Sequence, residues 1–392
     1  MANFKKKQRI KIIANSMIDP GMSGGNRIFI EFVKVWRDLG ADISIDTSAN
    51  GRMICQKSKL EADNWRIWPA VMPRKFGMFF AYLMATFYGV WQALLDKNKY
   101  DFVWSTSDFY PDSLPGLIYR LKGFCWGSSI FLFPPPPKKS GFSVNAVIHY
   151  YSQKPVFWLS KKLANYIFVT NEGDADYVRQ SCFPKSKVLA LRGGVHFKYL
   201  NTFPKQPIKY LACFMGRLHR HKAVVELVDI WRLVASQIPQ AKLAVIGDGP
   251  DRVMCEEKVR RLNLENNIKF FGFIDGEEKY KIIKQSRIFL HSSLVDSGGM
   301  SACEAMAMRL PVVGYNLAAF RTYYPRGMLK AKPGNQKEFA KLVLMLYYNQ
   351  KLYAQTSRAA HDWAEGWDWA ANASQIYNII FDLCCQKDST LS

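Results

Sequence analysis

Hydrophobic positions along this chain fall into short dense runs, separated by longer stretches where apolar residues recur at helical spacing. Residues 10–14, 41–45, 101–104, 130–133, 166–170, 210–215, 241–246, 267–274, 288–291 and 311–313 predict strands. Residues 28–39, 76–95, 223–237, 300–308, 337–348, 352–365 and 369–384 predict helices, with one more starting near Asn171. Strands alternating with helices imply parallel sheets of the α/β class. With 392 residues, two domains are expected. Residues 1–200 form the first, 208–370 the second, and 371–392 a closing helix. Two prolines and a lysine mark 201–207 as the linker.

The segment 288–315 carries the clearest chemistry. A strand to His291 is followed by Ser297-Gly298-Gly299, a helix opening at Met300-Ser301, and a further strand at Pro311-Val312-Val313. A glycine turn lets amide N–H groups approach a ligand, and the helix start behind it carries partial positive charge. Such a place binds phosphate. Asp296 and Glu304 flank it, and carboxylates beside a phosphate site suit sugar or ribose hydroxyls better than the phosphate itself. Upstream, a strand delivers Gly216 and Arg217, with Lys222 at the next helix start. Gly24-Gly25 form another strand-to-helix turn, open to reading as a ligand loop or as a tight turn alone. The Gly247-Asp-Gly-Pro250 turn lacks the third glycine of a dinucleotide site, which disfavours a nicotinamide enzyme.

An acidic residue, seven intervening residues and Glu, then Ala-Met-Ala and a Pro-Val-Val strand, resemble the signature of the glycosyl transferases group 1 family. These are retaining, nucleotide-sugar-dependent enzymes with the GT-B fold. The family's usual Glu-x7-Glu is here Asp296-x7-Glu304, a first carboxylate shorter by one methylene. The resemblance implies two Rossmann-like domains facing across a cleft, the first for acceptor and the second for donor. It implies that Arg217 and Lys222 clasp the donor diphosphate, and that Gly216, the Gly24-Gly25 loop and the amides of Gly298, Gly299, Met300 and Ser301 meet phosphate or donor-sugar oxygens. Asp296 would hold donor-sugar hydroxyls, Glu304 the ribose, and the Gly272-Phe273 turn the base. The family's glycine after the lysine is here Ala223. Its Asn-Gly-Val-Asp strand end is here Gly193-Gly194-Val195-His196. Four prolines, 134–137, stand where many members place a histidine, and His149 is the next histidine downstream.

Composition narrows the partners. A formal charge of +22 favours an anionic partner. The basic residues are dispersed and no nucleic-acid-binding module is recognisable, so an acidic membrane surface is preferred to specific nucleic acid. Residues 76–95 are apolar over about the length of a bilayer span, yet the strand directly behind them fits a helix with a greasy outer face that touches lipid without crossing. Eight cysteines without a C-x-x-C pair predict reduced thiols. Asp174-Ala-Asp176 is formally a D-x-D, but sits in a first helical turn, where acids suit the helix dipole. No metal and no cofactor are expected, the nucleotide-sugar being a substrate. Together with this composition, the resemblance implies a cytoplasmic, peripherally membrane-associated retaining glycosyltransferase, metal-independent, acting on a glycan or lipid-linked acceptor in cell-envelope polysaccharide biosynthesis. The alternative is a non-catalytic membrane-surface binding protein that keeps the fold.

Overall fold

The computed structural model describes residues 7–19, 22–69, 73–131, 133, 144–181, 188–296 and 298–388. Two compact units emerge: residues 1–193 with 369–392, and residues 194–368. The division thus precedes the expected linker. The reason is local: Phe197 and Leu200 of a short helix are buried in the core of the second unit, so the chain has already joined that unit before residue 201.

The first unit runs β1 (Arg9–Ala14), α1 (Gly24–Asp38), β2 (Asp42–Ser48), α2 (Ala49–Lys57), β3 (Asn64–Trp68), α3 (Pro73–Leu95), β4 (Phe102–Ser105), α4 (Tyr110–Leu121), β5 (Trp126–Ser129), α5 (Val144–Leu163), β6 (Tyr166–Val169), α6 (Glu172–Gln180) and β7 (Val188–Ala190). The second contains α7 (Phe197–Asn201), β8 (Tyr210–Met215), α8 (Val224–Ala235), β9 (Leu243–Ile246), α9 (Arg252–Arg261), β10 (Ile268–Gly272), α10 (Glu277–Lys284) and β11 (Ser286–His291). It continues through α11 (Met300–Ala307), β12 (Val312–Tyr315), α12 (Ala318–Tyr323), β13 (Met328–Ala331), α13 (Gln336–Tyr348) and α14 (Gln350–Glu365). The last helix, α15 (Trp369–Asp388), belongs to the first unit.

Both sheets are parallel throughout, ordered β3-β2-β1-β4-β5-β6-β7 and β10-β9-β8-β11-β12-β13. In each the chain reverses its direction of winding beside its first strand, between β1 and β4 and between β8 and β11. The loops leaving the carboxyl ends of those two strands part there, which opens the crevice where α/β sheets bind ligands.

Aromatic packing fixes α15. Trp36 of α1 is fully buried and donates its indole N–H to the Ala373 carbonyl at 2.9 Å, while Phe32 and Trp36 meet the rings of Trp369 and Tyr377. Burying one such ring contributes about 1.5–3 kcal/mol. Helix starts follow capping rules: the side chains of Ser23, Asn335 and Asn349 accept the amides of Asn26, Glu338 and Leu352.

The expected strand at 130–133 is displaced to Trp126–Ser129. Small residues are needed there. A Cβ on Gly127 would lie 2.5 Å from the ring of Phe168 and 2.7 Å from that of Phe102. Ser128 and Ser129 bury their hydroxyls against Ser160 and the Trp104 indole N–H. A polar-looking tetrapeptide is thus core because neighbouring aromatics fill its space. The prolines 134–137, the side chain of His149 and Ser297 lie outside the described residues.

In the crevice of the first unit, Asp112 is fully buried and binds both loops. It accepts the Ser16 amide at 2.9 Å, the Ser16 hydroxyl at 2.6 Å and the Ser107 hydroxyl. Asp108, at the end of the same β4 loop, accepts from Gln153 at 2.6 Å. Burial pushes the Asp112 carboxyl up to about 6, against the pull of the Ser107 and Ser16 hydrogen bonds. The folded state therefore holds this proton more tightly than the unfolded chain. Its contribution to stability is complete below about pH 4 and lost as pH rises through about 6, amounting to about 3 kcal/mol. Asp112→Asn is expected to flatten this part of the pH–stability curve. Urea unfolding of both proteins across pH 4 to 7 checks it, and parallel curves would refute it.

Candidate functional site

Three glycines let the ends of β8, β9 and β10 converge. The Gly216 amide donates to the Ile246 carbonyl at 3.0 Å, and that of Gly247 to the Gly272 carbonyl at 2.8 Å. Gly247 has φ +136°, and a Cβ there would fall 1.9 Å from the Gly216 carbonyl oxygen, so no side chain is tolerated. From Gly216 the chain presents exposed Arg217, buries Leu218, and makes a 3₁₀ turn over Arg220–Lys222. Ala223 then closes the turn at φ +50°, ψ +41°, a left-handed conformation that glycine adopts more cheaply. That conformation explains physically why glycine is the usual residue there in the resembled family.

The loop after β11 is tied to this turn across the reversal point. The Ser292 hydroxyl donates to the Lys222 carbonyl at 2.8 Å, and the Leu294 amide to the His221 carbonyl at 2.9 Å. Between the loops the Lys222 ammonium meets Asp296 Oδ2 at 2.5 Å. His291 Nε2 lies 3.1 Å from the same oxygen, while Oδ1 accepts the amides of Gly298 and Gly299 at 3.0 and 2.9 Å. Burial opposes charge on Asp296, but the His291 hydrogen bond and the Lys222 ammonium outweigh it and hold the carboxyl well below the usual carboxylate range. Burial lowers His291, so this ring is neutral at physiological pH and donates Nε2–H to the carboxylate.

Asp296 thus organises its own loop. Of the four amides expected to face a ligand, those of Gly298 and Gly299 are engaged by this carboxylate. Met300 and Ser301 open α11, with the helix dipole behind them. Gly299 is left-handed at φ +58°, and a Cβ there would press on Phe320 at 3.0 Å. Behind the loop the buried Tyr324 hydroxyl donates to the Gly298 and Gly299 carbonyls at 2.8 and 2.9 Å, and its ring stacks on Trp367. Glu304 stands farther along α11, with Oε1 accepting from the Tyr280 hydroxyl at 3.2 Å and lying 3.6 Å from the Lys279 ammonium. Phe273 is 78 % exposed beyond the Gly272 turn.

Lys222, Asp296, Gly298 and Gly299 are therefore joined by direct bonds. Gly216 and Arg217 sit on the adjoining strand end, and Met300, Ser301 and Glu304 on the helix that follows. Gly24 and Gly25 belong to the first unit, in the opening turn of α1. A Cβ on Gly25 would lie 2.7 Å from the Phe131 ring, a packing reason for glycine that stands independently of any ligand. His291, Tyr324, Tyr280 and Lys279 escaped sequence reading, and only His291 left a signal, as the polar residue closing an apolar strand. Among the described residues no three His, Cys, Asp or Glu side chains converge to hold a metal. Of the D-x-D pair, Asp174 accepts from Asn171 at 2.6 Å and Asp176 pairs with Arg179 at 3.0 Å.

A basic turn, helix-start amides and two flanking carboxylates at the reversal point of a parallel sheet suit an anionic, hydroxyl-rich ligand. Residues 199–363 match the family model described as glycosyl transferases group 1. Mannosylfructose-phosphate synthase of Agrobacterium fabrum is 29% identical over 42% of this chain and 39% of its own length. Alpha-monoglucosyldiacylglycerol synthase of Acholeplasma laidlawii is 20% identical over 47% of this chain and 46% of its own. The aligned part spans less than half the length of either relative. Among solved structures, Anabaena HepE, in complex with UDP and glucose, superposes with a TM-score of 0.73 at 14% identity, covering 96% of this chain and 100% of that one. Residues 199–363 thus match the glycosyl transferases group 1 family model, in a chain with the GT-B fold.

Proposed function

We propose that the protein transfers a sugar from a nucleotide-sugar to a glycan or lipid-linked acceptor of cell-envelope polysaccharide synthesis, with retention at the anomeric carbon. The observation that carries this reading is the bonded bridge from Lys222 to Asp296 and the glycine loop, set across the reversal point between β8 and β11. Arg217 and Lys222 neutralise the donor diphosphate. As the glycosidic bond breaks, negative charge grows on the leaving phosphate, and fixed cations there lower the barrier. The amides of Met300 and Ser301 supply further positive potential from the helix start. Glu304 takes the ribose hydroxyls, and Phe273 lies against the base. Asp296 holds Lys222 and the loop in register, and meets the donor-sugar hydroxyls with whatever lone pairs that work leaves.

The acceptor hydroxyl attacks from the face the phosphate leaves, and a leaving-phosphate oxygen accepts its proton. That route preserves configuration without a protein nucleophile. In this reading Arg217, Lys222 and the helix start supply the positive charge that a metal would supply elsewhere. The protein works at the cytoplasmic face of a membrane.

Thermal unfolding with UDP, GDP and ADP, each with and without EDTA, tests the donor half. A nucleotide at about 100 times its Kd stabilises the fold by roughly 2.7 kcal/mol. One nucleotide should raise the midpoint, equally with EDTA present. UDP is tried first because HepE is seen with it. No rise with any of the three would defeat the reading.

A further inference from the structure

We infer that the outer face of α3, continued by the ends of α4 and α5, is a docking surface for an anionic lipid bilayer. This names the partner on the acceptor side of the proposed function and rests on that reading only for the acceptor's identity. Helix α3 is inverted by size. Its small residues Ala81, Ala85 and Ala93 are buried, and Gly89 is packed so closely that a Cβ would lie 2.8 Å from Pro115 and from Asn15. Its large apolar residues point outward: Leu83, Phe87, Trp91, Leu94 and Leu95 are exposed at spacings of three and four residues, one stripe of a 3.6-residue helix. Phe87 is 66 % and Trp91 52 % exposed, and their rings stack. No charged residue occurs between Lys75 and Asp96. An outer face meant for water would carry polar residues at these positions.

The surrounding helices supply the charge. The Lys122 side chain donates to the carbonyls of Ala93 and Leu94 at the end of α3, and Arg120 donates to the Leu163 carbonyl at the end of α5. The three helix ends are therefore gathered on one side of the first unit. On α5, exposed Tyr151 and Trp158 are overlaid by lysines: Lys154 stands 4.9 Å from the Tyr151 ring and Lys162 4.2 Å from the Trp158 ring. Aromatic rings paired with flexible cations suit the headgroup layer, where rings sit at the interface and lysines reach the phosphates. Among the described residues no helix is long and apolar enough to cross a membrane, so this face would lie on the bilayer rather than span it. A protein partner would match the apolar stripe alone, whereas a net charge of +22 adds long-range attraction specific to an acidic surface.

Flotation of the full chain with phosphatidylcholine vesicles, with and without phosphatidylglycerol, tests the inference. The wild type should float with the anionic vesicles, more weakly as salt rises. The Phe87→Ser/Trp91→Ser variant should partition about a hundredfold less, since each of the two rings lost from the interface is worth about a factor of ten. Its thermal midpoint and its response to UDP should stay those of the wild type. The Lys154→Gln/Lys162→Gln variant should show a weaker preference for anionic vesicles than the wild type. Failure of the wild type to float, equal flotation of the ring variant, or a dimer that dissociates in that variant would overturn the inference. The nucleotide response is read separately, so failure of the docking surface and failure of the donor site are told apart.

Discussion

Lys222→Met is expected to lower kcat/KM for the nucleotide-sugar about 10²–10³-fold, the usual loss when one fixed donor to a developing negative charge is removed. The side chain does two things. In the proposed function its ammonium faces the place where the diphosphate gains charge, and its 2.5 Å contact with Asp296 holds the glycine loop against the β8 turn. In the variant Asp296 keeps His291 and the amides of Gly298 and Gly299, so the loop stays closed and the fall in thermal midpoint should be small. The loss should lie mainly in kcat, because charge on the phosphate is greater in the transition state than in the bound donor. Lys222→Arg keeps the charge but places a planar fork where a point charge fits, and is expected to recover part of the activity. Steady-state kinetics with the nucleotide that raises the midpoint, beside thermal unfolding of each variant, decide the matter. Activity near wild type in Lys222→Met would reduce the lysine to a structural partner of Asp296.

The same pair shows where sequence reading reaches its limit. The apolar runs and the glycine turns were enough to place most strands and helices, because a buried parallel strand and a helix-opening glycine leave local marks. Asp296 and Lys222 were both legible as charged residues beside glycine turns. Their bond spans 74 positions of sequence and follows from the β8–β11 adjacency, which no local pattern encodes. Sequence reading proposed Asp296 for the sugar hydroxyls and gave no sign of the lysine, histidine and two amides that engage its oxygens in the structure. Trp126–Ser129 was missed for a related reason: glycine and serine are core residues there only because Phe102, Phe168 and Trp104 crowd the space. By contrast, the helix expected over residues 76–95, from its apolar length and the strand directly behind it, is found apart from a non-helical break at Gly77, although the size inversion that turns Ala81 and Ala85 inward needed the packing of α4 to be seen.

Lys11→Met is expected to destabilise the first unit by about 3–5 kcal/mol, the cost of stripping one partner from a buried ion pair. Lys11 on β1 is 1 % exposed and its ammonium bonds Asp46 on the adjacent strand. Burial lowers Lys11 and raises Asp46, each opposed by the charge of the other, so the pair is held together by mutual need. The network continues across the sheet edge: Arg66 on β3 lies 2.8 Å from Asp96, which also accepts the Tyr119 and Tyr100 hydroxyls. Removing the ammonium leaves the Asp46 carboxylate buried, with Arg66 as the remaining nearby cation. The carboxylate must then take up a proton or open the sheet to water. The double change Lys11→Met/Asp46→Leu removes both charges and should recover most of the loss, because apolar residues of similar volume replace a buried pair at little cost. Urea unfolding followed by tryptophan fluorescence, with Trp36, Trp68 and Trp104 buried in this unit, reads the change directly. A single variant as stable as the wild type, or a double variant less stable than the single, would show that Asp46 finds its compensation elsewhere in the network.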